Sequence, residues 1–218
     1  MILSGHQPCS VPWLGWYNKL LKADLFVILD DIQPSRGDFI NRSLFNFKGR
    51  DKYLTMPLEW HGHLEKTIRQ MEFAIDKPHW REDGLHKLLA NYPKNLWIDA
   101  WYDSMLGSHN LVSACDFSLE LARALDITTP VEYQSRLGIT GHKSGLIVNL
   151  CRHFGATEFL FGSEGFQNYG REVESYGIRA IRQEYTPPDL PPLSILHYLI
   201  MRGHEETKTL INNQAGYG

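Results

Sequence analysis

Near the start of the chain, polar residues stand directly behind two apolar runs. Ile2-Leu3-Ser4 leads into Gly5-His6-Gln7, and Leu25 to Leu29 leads into Asp30-Asp31, with Gln33 close behind. An imidazole beside a carboxylate is the pairing of general acid–base chemistry: the ring moves the proton and the carboxylate orients the ring. His6 and Asp30 are therefore the candidate catalytic pair. Gln7, Asp31 and Gln33 are candidate substrate contacts. A second cluster is Asn41-Arg42, shortly after Arg36-Gly37-Asp38. The planar guanidinium of Arg42 suits two-point contact with a carboxylate or phosphate. Lys143 opens a helical pattern, and Ser163-Glu164 follow the apolar run Phe159-Leu160-Phe161. Free amides at such places can meet an anion. Each residue alone reads equally well as a solvated loop group. It is the convergence of strand ends that singles out His6 and Asp30.

Other constellations are weaker. His61-Gly62-His63 would place two imidazoles on one side of a strand, but no third ligand is near, so a surface loop is the better reading. Cys9 lies three residues from His6, yet no orienting third group accompanies it, and a small buried thiol is expected. There is no Walker loop, GxGxxG, GxSxG or HExxH, and no metal site is expected.

The elements that must hold these residues can be read from hydropathy. Ile2 to Ser4 is a short strand. Pro12 suits a helix start, and Trp13, Trp16, Tyr17, Leu20 and Leu21 recur at helical spacing with Asn18, Lys19 and Lys22 facing elsewhere. Gly15 weakens this helix by about 1 kcal/mol relative to Ala, which points to close packing against it. Leu25 to Leu29 is continuously apolar, as a parallel strand covered on both faces should be. Residues 53–58 read as a strand or edge segment, and 80–91 and 109–125 as helices. Ser144 is expected to cap a helix that ends at Gly155. A strand over 158–161, a loop over 162–165, a helix over 169–176, a strand over 178–181 and a last helix from Ser194 to Met201, closed by Gly203, complete the reading. The pattern predicts a single α/β domain over 1–218, with a mostly parallel, doubly wound sheet and a mixed insertion over about 36–128. In such sheets ligands bind at the carboxyl ends of the strands, where His6, Asp30 and Ser163 fall.

Among 218 residues, 43% are hydrophobic and 22% charged, the balance of an ordinary globular chain. A net charge of −3 argues against a general binder of phosphate backbones and leaves room for a local basic patch. Three dispersed cysteines, Cys9, Cys115 and Cys151, predict free thiols in a reducing compartment, with Cys151 buried on a helix face. No apolar stretch approaches the ~18 residues of a membrane span, and a cytoplasmic protein without membrane contact is expected.

The blocks GHQP…PWLGW, KLLKADLFVILDDIQ and the following Asn41-Arg42 resemble the opening of the WbqC-like family. LGITGHKSGLIVNLCRHFGATEFLFGSEGFQNYG and PPLSILHYLIMRGHE resemble its later blocks. Cys9 stands where the family pattern usually has an aromatic, which counts against a shared thiol nucleophile. The resemblance implies a bacterial transferase of surface-polysaccharide (O-antigen) biosynthesis, moving an acyl or aminoacyl group to an amino sugar or related carrier. A sugar nucleotide, an acyl or aminoacyl carrier or a charged tRNA would be its partners. The strand pattern is also similar to synthetases and nucleotidyltransferases, which implies ATP or another nucleotide with Mg²⁺ as the alternative, Asp30 and Asp31 then holding the metal. A non-catalytic adaptor for a biosynthetic partner is the third reading.

Overall fold

The structure, a computed structural model, describes residues 1–212. Its frame is a five-stranded sheet built from β1 (Ile2–His6), β2 (Leu25–Ile28), β5 (Val131–Tyr133), β6 (Glu158–Phe161) and β7 (Arg179–Arg182), in the order β5-β2-β1-β6-β7. All four pairings are parallel, with Gly5 opposite Val27 and Ser4 opposite both Phe26 and Leu160. β1 is central and wholly flanked. The chain winds from β1 outward through β2 to β5, then returns to the other side of β1 and winds through β6 to β7. The direction reverses between β1 and β6, the winding of a Rossmann-like α/β fold. The expected parallel arrangement of strands near 2–5, 25–29 and 157–161 is present.

Continuous apolar runs work here because each face of the sheet is covered. Phe26 and Ile28 point into one core, with α1 (Leu14–Lys22), α4 (Leu111–Ala124) and α8 (Ile195–Met201). Val27 and Leu3 point into the other, with α6 (Lys143–Phe154) and α7 (Ser163–Ser175). Successive strand residues face opposite ways, so a strand between two cores is mostly apolar, and a polar residue in it, such as Ser4, is buried with a hydrogen-bond partner.

Residues 36–128 contribute an antiparallel hairpin, β3 (Arg42–Phe47) and β4 (Arg50–Thr55), then α2 (Trp80–Asn91), α3 (Leu96–Gly107) and α4. The strand expected over 53–58 thus begins at Arg50 and ends at Thr55. Its partner β3 was not expected, because Arg42-Ser43-Leu44-Phe45-Asn46-Phe47 mixes polar and apolar residues on a two-stranded ribbon. Lys48 and Gly49 turn the hairpin with φ of 52° and 80°, the two left-handed positions of a tight hairpin turn.

Several boundaries move. α7 begins at Ser163, where a loop over 162–165 was expected. The cap of α6 is His142, not Ser144, which lies inside the helix and is buried. A further helix, α9 (Gly203–Asn212), follows the expected stop at Gly203. It packs against α1 and buries Asn18, whose amide donates to Ile211 O at 2.8 Å. Asn18 and Lys19 are therefore interior, not solvent-facing. Gly15 behaves as expected: an added Cβ would lie 2.0 Å from the Trp13 ring folded over it. The short α5 (Gln134–Leu137) follows β5. Among the described residues, no helix is long and apolar enough to cross a membrane.

Candidate functional site

A cleft of about 450 Å³ opens beside the carboxyl end of β1, within the size range of small-molecule sites. The sheet side contributes His6 and Gln7 from the end of β1, and Glu164, Asn168 and Tyr169 from the first turns of α7, the helix after β6. This is the crevice at the reversal point of the winding. The hairpin side contributes Asp38, Phe39 and Arg42. Trp13 and Trp16 close the base with Cys9, and Ser194 ties this base to the hairpin by donating its N–H to Leu44 O at 2.8 Å.

His6 is half-buried, and its Nδ1 lies 3.0 Å from Gln7 O. A carbonyl only accepts, so Nδ1 carries the hydrogen. Burial, reinforced by the positive charge of Lys19, lowers the His6 pKa to about 3. The ring is thus neutral at physiological pH, with Nε2 an acceptor that has no partner among the described residues. Lys19 sits behind β1, buried, and donates from Nζ to Gly5 O at 2.8 Å. Its own pKa falls to about 8, because burial penalises the ammonium.

Arg42 sits in the opposite wall. Its guanidinium lies 4.5 Å from the Tyr53 ring and 5.6 Å from the Phe39 ring, and one Nη donates to Gly37 O. The Nε–H is buried without a hydrogen-bond partner among the described residues. The same holds for the indole Nε1–H of Trp16, on the same cleft wall. An unmet buried donor costs about 1–3 kcal/mol. Arg42 and Trp16 thus each keep one unmet N–H inside the protein beside the cleft. Asp38 and Glu164 face the same space without an ion-pair partner among the described residues, so the cleft presents both signs of charge.

Of the residues singled out by sequence, His6, Gln7, Gln33 and Arg42 line the cleft. Cys9 and Glu164 line it as well, whereas Asp30, Asp31, Asn41, Lys143 and Ser163 are not among its lining residues. Asp30, expected to share a site with His6, is buried, and Ser135 N–H donates to its Oδ1 at 2.9 Å and Ser135 Oγ–H to its Oδ2 at 2.6 Å. The buried carboxylate pins the start of α5 to the end of β2. Asp31 pairs with Arg69 at 2.6 Å. Asn41 donates to Met56 O at 2.7 Å, closing the hairpin base. Lys143 is exposed at the start of α6 and Ser163 at the start of α7. Gln33, on the wall, donates to Leu64 O at 2.9 Å.

Sequence reasoning passed over Trp13, Phe39, Asn168 and Tyr169. Asn168 and Tyr169 carry a findable signal, because they fall one turn after Glu164 once α7 is started at Ser163. The Cys9 thiol is 2% exposed, and burial pushes its pKa up, so it is no thiolate. All three cysteines are free and buried, as expected. His61 and His63 lie in a loop and a short 3₁₀ turn, and His63 Nδ1 is bonded to Trp60 O.

Comparison with known proteins agrees with these blocks. A family model described as the WbqC-like protein family matches residues 7–209. The chain is also similar to a protein of Mycobacterium tuberculosis named uncharacterized protein Rv1507c. The two are 25% identical over 170 residues, covering 72% of this chain and 70% of that protein.

Proposed function

The chain belongs to the WbqC-like protein family, and from that premise we propose that the cleft between β1, α7 and the hairpin is the active site of an acyl- or aminoacyl-transferase whose acceptor is an amine on an amino sugar or related carrier. The observation that carries the reading is geometric: His6 lines the cleft with its Nδ1–H held by Gln7 O, so Nε2 is the nitrogen that can take a proton, and a bound anion must offset the burial and the Lys19 charge that lower its basicity. The acceptor nitrogen attacks the acyl carbonyl carbon, forming a C–N bond as the bond to the leaving oxygen or sulfur breaks. The amine proton passes to His6 Nε2. Held beside Lys19, the imidazolium is a strong acid and hands the proton on to the leaving group.

Asp38 and Glu164 suit the acceptor's amine, and Arg42 suits an anionic part such as a phosphate. Asp30 is a positioning residue in this reading, since its oxygens are engaged by Ser135. Those bonds, with the Asp31–Arg69 pair, do not fit a role for the two aspartates as Mg²⁺ ligands, so the nucleotidyl-transfer alternative has no support at that pair. The strand order alone is shared by many activities and does not choose among them.

The test is a thermal-shift series with sugar nucleotides bearing or lacking a free amine. At about 100-fold excess over Kd, a bound ligand adds about 2.7 kcal/mol, roughly a 5–10 °C rise in Tm for a chain of this size. The amine-bearing ligand should produce it, and Arg42→Lys should lose it because an ammonium cannot reproduce the fork. Equal shifts with and without the amine would overturn the acceptor assignment.

A further inference from the structure

The β3–β4 ribbon has an open edge along β4, and its register says which backbone groups face it. Met56 N–H donates to Asn41 O at 2.8 Å, so residue 56 turns its backbone toward β3. Leu54, Lys52 and Arg50, at steps of two, turn the same way. The residues between them turn to the far side. At 57–59 that side is already taken: Ala74 N–H donates to Pro57 O at 3.0 Å and Glu59 N–H to Glu72 O at 2.9 Å, with Leu58 opposite Phe73 in antiparallel sense. Further along, the backbone N–H and C=O groups of Asp51, Tyr53 and Thr55 have no hydrogen-bond partner among the described residues, and all three residues are exposed. Segment 72–74 thus lies where a third strand would lie, and it stops where the open edge of β4 begins.

A groove runs beside this edge. Two depressions, of about 530 Å³ and 360 Å³, lie between β4 and α2 and meet at Lys87. The first is lined by Lys48, Arg50, Lys52 and Lys87, with no carboxylate on its wall, and none of the four has a carboxylate within ion-pair distance among the described residues. The second, beside Thr55 and Pro57, mixes Lys77 with Asp76 and Asp83. Arg50 and Lys52 share a face of the ribbon with Phe47 and Phe45 opposite them. Tyr53 points to the other face, where Arg42 lies 4.5 Å from its ring. An open edge along a groove is the setting for strand addition, in which main-chain bonds give affinity and alternate side chains give selectivity. The edge offers donors and acceptors in alternation. An inorganic polyanion could use the cations and the N–H groups, but the open carbonyls need donors, and a peptide backbone carries both. The cations select among peptides, because every second residue of an added strand lies on the face of Arg50 and Lys52. Antiparallel pairing with a second copy of β4 would bring the same cations onto one face with their counterparts, and like charges there repel. An acidic segment neutralises them.

We propose that the open edge of β4 takes up an extended acidic polypeptide segment as an added antiparallel strand, in line with 72–74 and with its carboxylates beside Arg50, Lys52 and Lys87. The proposal stands apart from the transfer reading, and its assay uses no acyl group. The probe is a labelled eight-residue peptide alternating threonine and glutamate. It is titrated into the intact chain by fluorescence anisotropy, and amide hydrogen exchange is then read residue by residue in the complex. Glutamates on the face of Arg50 and Lys52 leave threonines opposite Asp51, Tyr53 and Thr55. The amides of those three residues should exchange fast in the free chain and slowly in the complex, whereas those of Lys52 and Leu54, bonded to β3, should be slow in both. N-methylation of the threonine amides should weaken binding about 2- to 10-fold for each bond lost, and N-methylation of the glutamate amides, which face away, should leave it unchanged. Arg50→Glu/Lys52→Glu, at exposed positions, should weaken binding about 10-fold or more with unchanged circular dichroism. No binding with a Kd below about 1 mM, equal binding of the peptide with lysine in place of glutamate, indifference to threonine N-methylation, or Tyr53 and Thr55 amides that stay fast at saturation would each overturn the proposal. A dimer that forms through β4 and excludes the peptide would overturn it in favour of a second copy.

Discussion

The parallel sheet and the hairpin treat their polar groups in opposite ways. In the sheet half, polar groups are already engaged. Asp30 takes two bonds from Ser135, Ser4 donates to Leu160 O, Lys19 donates to Gly5 O, and Gln183 joins Gly15 O to Asn18. In the hairpin half several cationic groups are left open. Arg42 keeps an unmet Nε–H, and Lys48, Arg50 and Lys52 have no carboxylate partner among the described residues. His6 is an exception in the sheet half, with Nδ1 bonded and Nε2 without a partner among the described residues, and the Trp16 indole N–H and the Tyr17 hydroxyl are others. A polar residue at a strand end is therefore not a site by position alone. Open hydrogen-bonding capacity facing a cavity separates Arg42 from Asp30.

The largest effect should fall on the engaged side. Asp30→Ala removes two hydrogen bonds to a buried carboxylate, worth about 1.5–3 kcal/mol each. We expect destabilisation of about 3 kcal/mol or more, read by denaturant unfolding, roughly 6–12 °C in Tm. A variant with unchanged stability and lost ligand binding would reverse the comparison. Gly15→Ala comes next. Its Cβ would meet the Trp13 ring at 2.0 Å, so overpacking of about 1–3 kcal/mol is expected, and the displaced indole should alter ligand affinity in the cleft.

Acid should expose the cost of keeping His6 neutral. The ring titrates at about 3 in the fold against 6.5 as its ordinary value, so between these pH values the unfolded chain binds a proton that the folded one refuses. Stability should fall as pH drops from about 6.5 toward 3, and His6→Gln should flatten that slope. Constant wild-type stability over this window, or a slope unchanged in the variant, would contradict it. The smallest stability effect belongs to the open side. Arg42→Ala should change unfolding free energy by well under 1 kcal/mol while removing the ligand-induced Tm shift. A large loss of stability would mean that the hairpin uses its arginine as the sheet uses its aspartate.

What was legible in the sequence follows the same division. β2 is a continuous apolar run, and β1 and β6 are mostly apolar, because two cores cover them; the buried Ser4 of β1 is accommodated by donating to Leu160 O. β5 has three residues, too few for a period, and β3 mixes polar and apolar residues as a two-stranded ribbon permits. The polar run Gly203–Asn212 conceals α9, whose inward face is only Thr207 and Ile211, and with it the burial of Asn18. Within the site, His6, Gln7, Gln33 and Arg42 could be found by position. The engagement of Asp30 could not, because Ser135 lies 105 residues away.

The central claim is that the cleft holds a neutral imidazole with Nε2 bare. Long-range ¹⁵N–¹H spectroscopy of the histidine rings reads it directly across pH 4–8, with His6→Gln assigning the signal and Lys19→Met as a probe of the neighbouring charge. The account predicts the Nδ1–H tautomer for His6 throughout, no titration above pH 5, and a higher pKa in Lys19→Met, since removing a positive neighbour eases protonation. A His6 signal that titrates near 6.5, or one with the hydrogen on Nε2, would contradict it.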